Sequence, residues 1–99
     1  MNEYSFWTDE KLHLKDDQQT RQYSALNKKL TPYEVYVSNK MCRIKGTGKE
    51  AYEVYLEECT CRDFAVRKLP CKHMYRLAHE LSVFQLDGTP ETLRIVTSF

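Results

Sequence analysis

The sequence predicts an α+β domain in which a small antiparallel sheet packs against a helix. Three observations predict it. The segments TPYEVYVSNK (31–40) and AYEVYLEE (51–58) alternate apolar and polar residues with the period of a half-buried strand. Farther on, Met74, Leu77, Ala78, Leu81 and Phe84 recur at helical spacing. Between these patterns, ECTCRDFAVRKLPCKHMYRL (58–77) holds three of the four cysteines and one of the three histidines, arranged as C-x-C, a nine-residue spacer and C-x-H.

The elements follow in chain order. Phe6, Trp7, Leu12 and Leu14 are expected to anchor the N-terminus to the sheet. DDQQTRQYSALNKKL (16–30) reads as a helix with Tyr23, Leu26 and Leu30 on its apolar face, acids early and lysines late, stopped by Thr31-Pro32. Asp9, Glu10, Asp16 and Asp17 read as solvated helix starts rather than paired catalytic acids. In the first strand Tyr33, Val35 and Val37 face one side, against Glu34, Tyr36 and Ser38. MCRIK (41–45) either continues that strand or forms another. Gly46-Thr47-Gly48 turns the chain into the next strand, where Tyr52, Val54 and Leu56 alternate and lead toward Cys59. The helix spans 71–84, with Pro70 at its entrance. Asp87-Gly88-Thr89-Pro90 is a turn, and LRIVTSF (93–99) fits a strand or a short helix. The organisation is a helical extension over 1–32, a module over 33–86, and a tail over 87–99 that packs on the same domain.

Composition bounds what such a chain can be. Its 99 residues suffice for one small domain with a modest core. Hydrophobic and charged fractions of 41% and 29% are those of a soluble globular protein. No apolar run is long enough to cross a bilayer. The start, MNEYSFWTDEKLHLKDD, has neither the basic beginning nor the apolar middle of a secretory signal. An intracellular location is expected, cytoplasmic or nuclear in a eukaryote, where thiols stay reduced. No internal repeat or low-complexity segment is present.

Reduced thiols bear on the cysteine cluster. Cys59 and Cys61 are too close to pair without strain, and Cys42 is far along the chain. A redox pair more often reads C-x-x-C, and neither alternative explains His73. A metal explains Cys59, Cys61, Cys71 and His73 together. Residues i and i+2 of a strand point the same way, so Cys59 and Cys61 can present both sulfurs at a strand end. On a helix the same spacing turns by about 200°, so Cys71 belongs at the helix entrance and His73 in its first turn. Three thiolates and one imidazole form a closed tetrahedral set that suits one structural Zn²⁺, with no open position for catalysis.

The run CTCRDFAVRKLPCKHMYRL resembles the SWIM-type zinc finger, with Phe64 in the spacer, Leu69-Pro70 before the second pair, Lys72 inside it, and the strand AYEVYL upstream. The resemblance covers roughly residues 33 to 85 and leaves out the first 30 residues and the tail. It implies a β-β-α finger with Cys59, Cys61, Cys71 and His73 as zinc ligands. It also implies a DNA-binding or protein-interaction module, of the kind found with chromatin-remodelling ATPases, Mutator-type transposases, plant transcription factors and some signalling kinases. No catalytic domain accompanies it in this chain, so the resemblance carries no biological process across.

Other residues read more plainly. Gly46 to Lys49 spells G-T-G-K but lacks the glycine spacing and the hydroxyl residue of a phosphate loop. His13 is expected at the surface, and His79 on a helix face away from His73. Cys42 reads as a small core or interface residue, and Phe64 as packing under the metal loop. No nucleophile has an evident base, so recognition is expected rather than catalysis.

Recognition then rests on charge. The formal charge is +1, and three thiolates with one Zn²⁺ bring it to 0, so composition alone does not point to nucleic acid. The distribution says more. Arg62, Arg67, Lys68, Lys72 and Arg76 crowd the finger against Asp63, while Glu50, Glu53, Glu57 and Glu58 line the preceding strand. The five cations are the expected phosphate contacts to DNA or RNA, with Tyr36, Tyr55 or Tyr75 stacking on bases. The alternative is a docking module for a protein partner or adjoining domain of a larger DNA-processing or regulatory assembly. Neither a membrane nor a small-molecule substrate is expected.

Overall fold

The computed structural model describes residues 6–46 and 51–86. The expected turn at Thr47-Gly48, the turn at 87–90 and the tail over 87–99 lie outside them. The described elements are α1 (Glu10–His13), α2 (Asp16–Ser24), a 3₁₀ turn (Lys28–Leu30), β1 (Glu34–Tyr36), β2 (Met41–Lys45), β3 (Ala51–Tyr55), α3 (Arg62–Arg67) and α4 (Lys72–Glu80).

The expected α+β architecture is present. The three strands form one antiparallel sheet in the order β1-β2-β3. Its register aligns Val35 with Cys42 and Cys42 with Val54, so a single row shares one face, buried at Cys42 and Val54 and exposed at Val35. Cys42, Ile44, Val54 and Leu56 are buried there. MCRIK is a strand of its own, because Val37–Lys40 reverses the chain, with Lys40 in the left-handed region at φ 54°. α4 packs over β3 and β2. β1 overhangs at the edge, so Tyr33 and Val37 stay exposed, at 59% and 69%, where strand alternation predicts a buried face.

α4 is the centre of the molecule. Every residue from His73 to His79 is buried, well beyond the stripe of Met74, Leu77 and Ala78 that meets the sheet. It ends at Glu80, four residues earlier than expected. Ser82 takes a positive φ of 61°, its N–H donates to His79 O, and Val83 N–H donates to Ala78 O. These two bonds close the helix as a Schellman motif.

The far side of α4 is covered by the N-terminal segment, and here the sequence reading needs three corrections. First, 16–30 is not one helix. Asn27 Oδ1 accepts from Lys29 N–H at 2.9 Å, giving the backbone a local alternative to helix, and a 3₁₀ turn follows. Second, the buried face of α2 is polar. Of the expected apolar face Leu30 is buried and Leu26 packs on the core, but Tyr23 is 79% exposed, and the buried residue within α2 is Gln18, donating to Pro70 O and Tyr75 Oη at 3.0 Å each. Third, His13 is interior and Leu14 is exposed. A carbonyl only accepts, so His13 Nε2–H donates to Phe6 O at 2.7 Å, and Nδ1 accepts from Tyr75 Oη at 2.7 Å. Trp7 stacks on the His13 ring and donates from Nε1 to Leu56 O at 2.9 Å. The N-terminus is therefore anchored on α4 and the turn after β3 rather than on the sheet face. Among the described residues, no helix is long and apolar enough to cross a membrane.

Candidate metal centre

The first ligand pair is built by a reversal. β3 ends at Tyr55, and Leu56–Glu58 fold back so that Tyr55 N–H donates to Glu58 O at 2.7 Å. Cys59 returns antiparallel to Val54, and Thr60 clamps Glu53 with bonds from its N–H and to its Oγ1. Cys59 thus sits on a returning segment and not at the end of a straight strand. Cys61 caps α3, a helix that the spacer sequence does not advertise beyond Asp63 in its first turn and Arg67 in its last. Lys68 closes α3 in the left-handed region at φ 59°. The second pair lies as expected. Cys71 is the N-cap of α4, and His73 is in its first turn.

Cys59, Cys61, Cys71 and His73 are all buried, and their four donor atoms lie within 4.8 Å of one another. His73 turns Nδ1 toward the sulfurs, 3.9 Å from Cys59 Sγ and 3.7 Å from Cys71 Sγ. A tetrahedral Zn²⁺ with Zn–S about 2.3 Å and Zn–N about 2.0–2.1 Å spaces its donors about 3.6–3.8 Å apart, so the arrangement fits one structural Zn²⁺. The protonation chemistry points the same way. Without a cation the thiols share protons. Hydrogen bonds from Cys59 and Cys71 favour a thiolate at Cys61, and the thiols of Cys59 and Cys71 are pushed up, Cys59 to about 12, because each gives its proton to a neighbouring sulfur. A divalent ion resolves the crowding by stabilising all three thiolates at once.

A family model for the SWIM zinc finger matches residues 33–82. The chain belongs to the SWIM zinc-finger family. A comparison with curated proteins and one with solved structures return no match. The SWIM match begins after α1 and α2, so the segment that covers the second side of α4 lies outside it.

The SWIM finger is stitched to that segment through α3. Arg21 grips Asp63 with two bonds, Nε to Oδ2 at 2.7 Å and Nη2 to Oδ1 at 2.8 Å. The guanidinium holds the Asp63 carboxyl below its usual range. Arg67 reaches Asp17 Oδ2 and Gln18 Oε1, each at 2.6 Å. These pairs divide the expected phosphate contacts. Arg67 is spent on α2. Arg76 is 4% exposed and bonded to Glu80 Oε2 and the carbonyl of Ala25, so it is a core residue and not a surface contact. Tyr75 is buried and cannot stack on a base. Arg62, Lys68 and Lys72 remain exposed around the metal loop. On the sheet's outer face Arg43 lies between Glu34 and Glu53, at 3.4 and 3.6 Å, which partly neutralises the acidic strand.

Cys42 is core, its thiol pushed up to about 12 by burial. His79 is buried away from the cluster and accepts from Leu86 N–H. Phe64 is partly buried against the core. The coupling partners Asp17, Gln18 and Arg21 escape sequence reasoning, because acids and amides at a helix start look the same whether solvated or paired.

Proposed function

We propose that this SWIM finger binds nucleic acid through its phosphate backbone, with Arg62, Lys68 and Lys72 as the contacts. One observation carries the reading. All three are exposed around a single metal-held loop, and none has a carboxylate partner among the described residues. Lys68 also rests over the Phe64 ring, 5.5 Å from its centroid, which steadies the ammonium at the surface. Such contacts give affinity without sequence readout. Tyr36 and Tyr55 remain available for stacking on a single strand. Chemistry on a substrate forms no part of the reading, since a closed donor set offers no open metal position.

A second reading, docking onto a protein, is favoured by a different observation. The overhanging β1 edge exposes Tyr33, Val35 and Val37 along one face, apolar surface that a partner could cover.

The test is fluorescence anisotropy with zinc-loaded protein and equal-length single-stranded DNA, duplex DNA and RNA, at low and near-physiological salt. Binding should weaken steeply with salt. Reversing Arg62, Lys68 and Lys72 to glutamate should weaken it sharply and, for duplex DNA, lower the slope of log affinity against log salt in the residual binding by roughly three. Absence of binding at low salt, or indifference to the triple reversal, would refute the reading in favour of docking.

A further inference from the structure

Gly46 follows β2 and lies against the ring of Tyr52. A Cβ at Gly46 would fall 2.6 Å from Tyr52 Cε2 and 2.7 Å from Cζ, closer than side-chain carbons pack. The register explains the approach. Tyr52 stands opposite Ile44, so Gly46 is its diagonal neighbour on the same face. An aromatic ring laid over a strand glycine shields backbone that would otherwise lack cover. The same ring also meets His73, with centroids 4.7 Å apart and planes inclined at 49°. Tyr52 is therefore wedged between bare backbone and the imidazole of a metal ligand.

The wedge matters because a histidine ring is not fixed by its helix. Its terminal torsion is broad and roughly two-fold, so α4 places the Cβ of His73 but leaves the ring free to exchange Nδ1 for a carbon. Only the orientation seen here, with Nδ1 facing the sulfurs of Cys59 and Cys71, makes a tetrahedral donor set. We propose that Tyr52, seated on the backbone of Gly46, is the positioning residue that holds the His73 ring with Nδ1 toward the metal. The ring does this by contact, so the phenol oxygen is dispensable. Gly46 acts through Tyr52, because any side chain there would push the ring out of its seat.

The test uses the full 99-residue chain. Zinc affinity is read by competition with a chromophoric chelator, the donor set by the visible spectrum of the Co²⁺ form, and the ring by nitrogen NMR of His73. Tyr52→Ala and Gly46→Ala should each weaken zinc by about 10–100-fold, as loss of a ligand's supporting contact does, and Tyr52→Phe should match the parent. The ring resonances should show Nδ1 bound in the parent and in Tyr52→Phe, and averaging between orientations in Tyr52→Ala. The decisive arm is the double variant. With Tyr52 already alanine, Gly46→Ala should cost nothing more, because the ring it would strike is gone. Parent-like zinc affinity in Tyr52→Ala overturns the proposal. So does an equal loss from Gly46→Ala in both backgrounds, which would assign the glycine to its own backbone. If Gly46→Ala fails to fold, Tyr52→Ala and Tyr52→Leu set against Tyr52→Phe decide the matter. A lowered melting point with an unchanged Co²⁺ spectrum and a fixed ring would then count against positioning.

Discussion

Replacing Arg76 with alanine should unfold much of this protein's stability without touching its surface. The guanidinium donates to Ala25 O at 3.0 Å, to Asn27 O at 3.4 Å, to Thr31 Oγ1 at 3.3 Å and to Glu80 Oε2 at 3.0 Å. One of these acceptors is the carbonyl of Ala25, the C-cap residue of α2, and another is the carbonyl of Asn27 in the turn that follows. Arg76 thus caps one helix from the middle of another. Alanine would strand the buried Ala25 carbonyl, at about 1–3 kcal/mol. It would also leave Glu80, whose side chain is 17% exposed, without its partner. Breaking a buried ion pair costs about 3–5 kcal/mol, and we take about 3–4 for the sum because Glu80 and Thr31 can recruit water. Against a total of about 5–15 kcal/mol that is a large fraction, and for a domain of this size it lowers Tm by roughly 12–30 °C. The assay is urea denaturation of the zinc-saturated protein followed by Trp7, the single tryptophan, which is buried over Leu56. Glu80→Gln in an Arg76→Met background should recover part of the loss, since it removes the orphaned charge. A surface phosphate contact would change stability by less than about 0.5 kcal/mol. A loss that small in Arg76→Ala would refute the capping role.

Removing zinc with a chelator should collapse the helical circular dichroism and the melting transition together, because metal binding of about 10–16 kcal/mol rivals the stability of the whole domain; an unchanged melt would show that the cluster holds no structural ion. Asp63→Asn should cost about 1–2 kcal/mol in the zinc-loaded protein, with the side chain 35% exposed and solvent screening part of the pair. Thermal melts of the zinc-loaded parent and variant check this. Burial lowers the pKa of His13 below 6.5, so the unfolded chain binds more protons in the window below 6.5. The His13 contribution is therefore complete above pH 6.5 and declines as pH falls below it. An NMR titration of the His13 ring should give a midpoint under 6.5, and a midpoint at or above 6.5 would contradict its interior placement.

The site was more legible than the surface around it. Zinc ligation imposes rigid demands on residue type and spacing, so Cys59, Cys61, Cys71 and His73 could be placed together before any coordinate, with Cys71 at the helix entrance. The strands were legible by period, yet period says only which residues share a face. Whether a helix covers that face is a tertiary fact, and at β1 it does not. Residues 16–30 mislead for the opposite reason. Hydrophobicity nominates Tyr23 for the core, but the neighbour is the polar side of α4, and the buried residue is Gln18, which satisfies Tyr75 and Pro70. Arg76 escapes the same way. A lysine or arginine in a basic run reads as surface unless the acceptors awaiting it are known, and three of the four here lie 45 to 51 positions upstream.

This inverted polarity ties the finger to the rest of the chain. Residues 33–82 define the family, but Tyr75 and Arg76 point away from the sheet and into residues that precede the match. A bare finger would expose a phenol and a guanidinium that here are bonded to His13, Gln18 and Ala25. The same segment reaches α3 through Arg21 and Arg67, and α3 spans the loop between the two ligand pairs. Zinc and the N-terminal helices therefore order a common element from opposite ends. By linkage, the factor by which bound zinc strengthens the docking of α2 on α3 is the factor by which that docking strengthens zinc binding, so metal loss must loosen α2. The cations left over from this arrangement, Arg62, Lys68 and Lys72, are those that neither the core nor α2 requires.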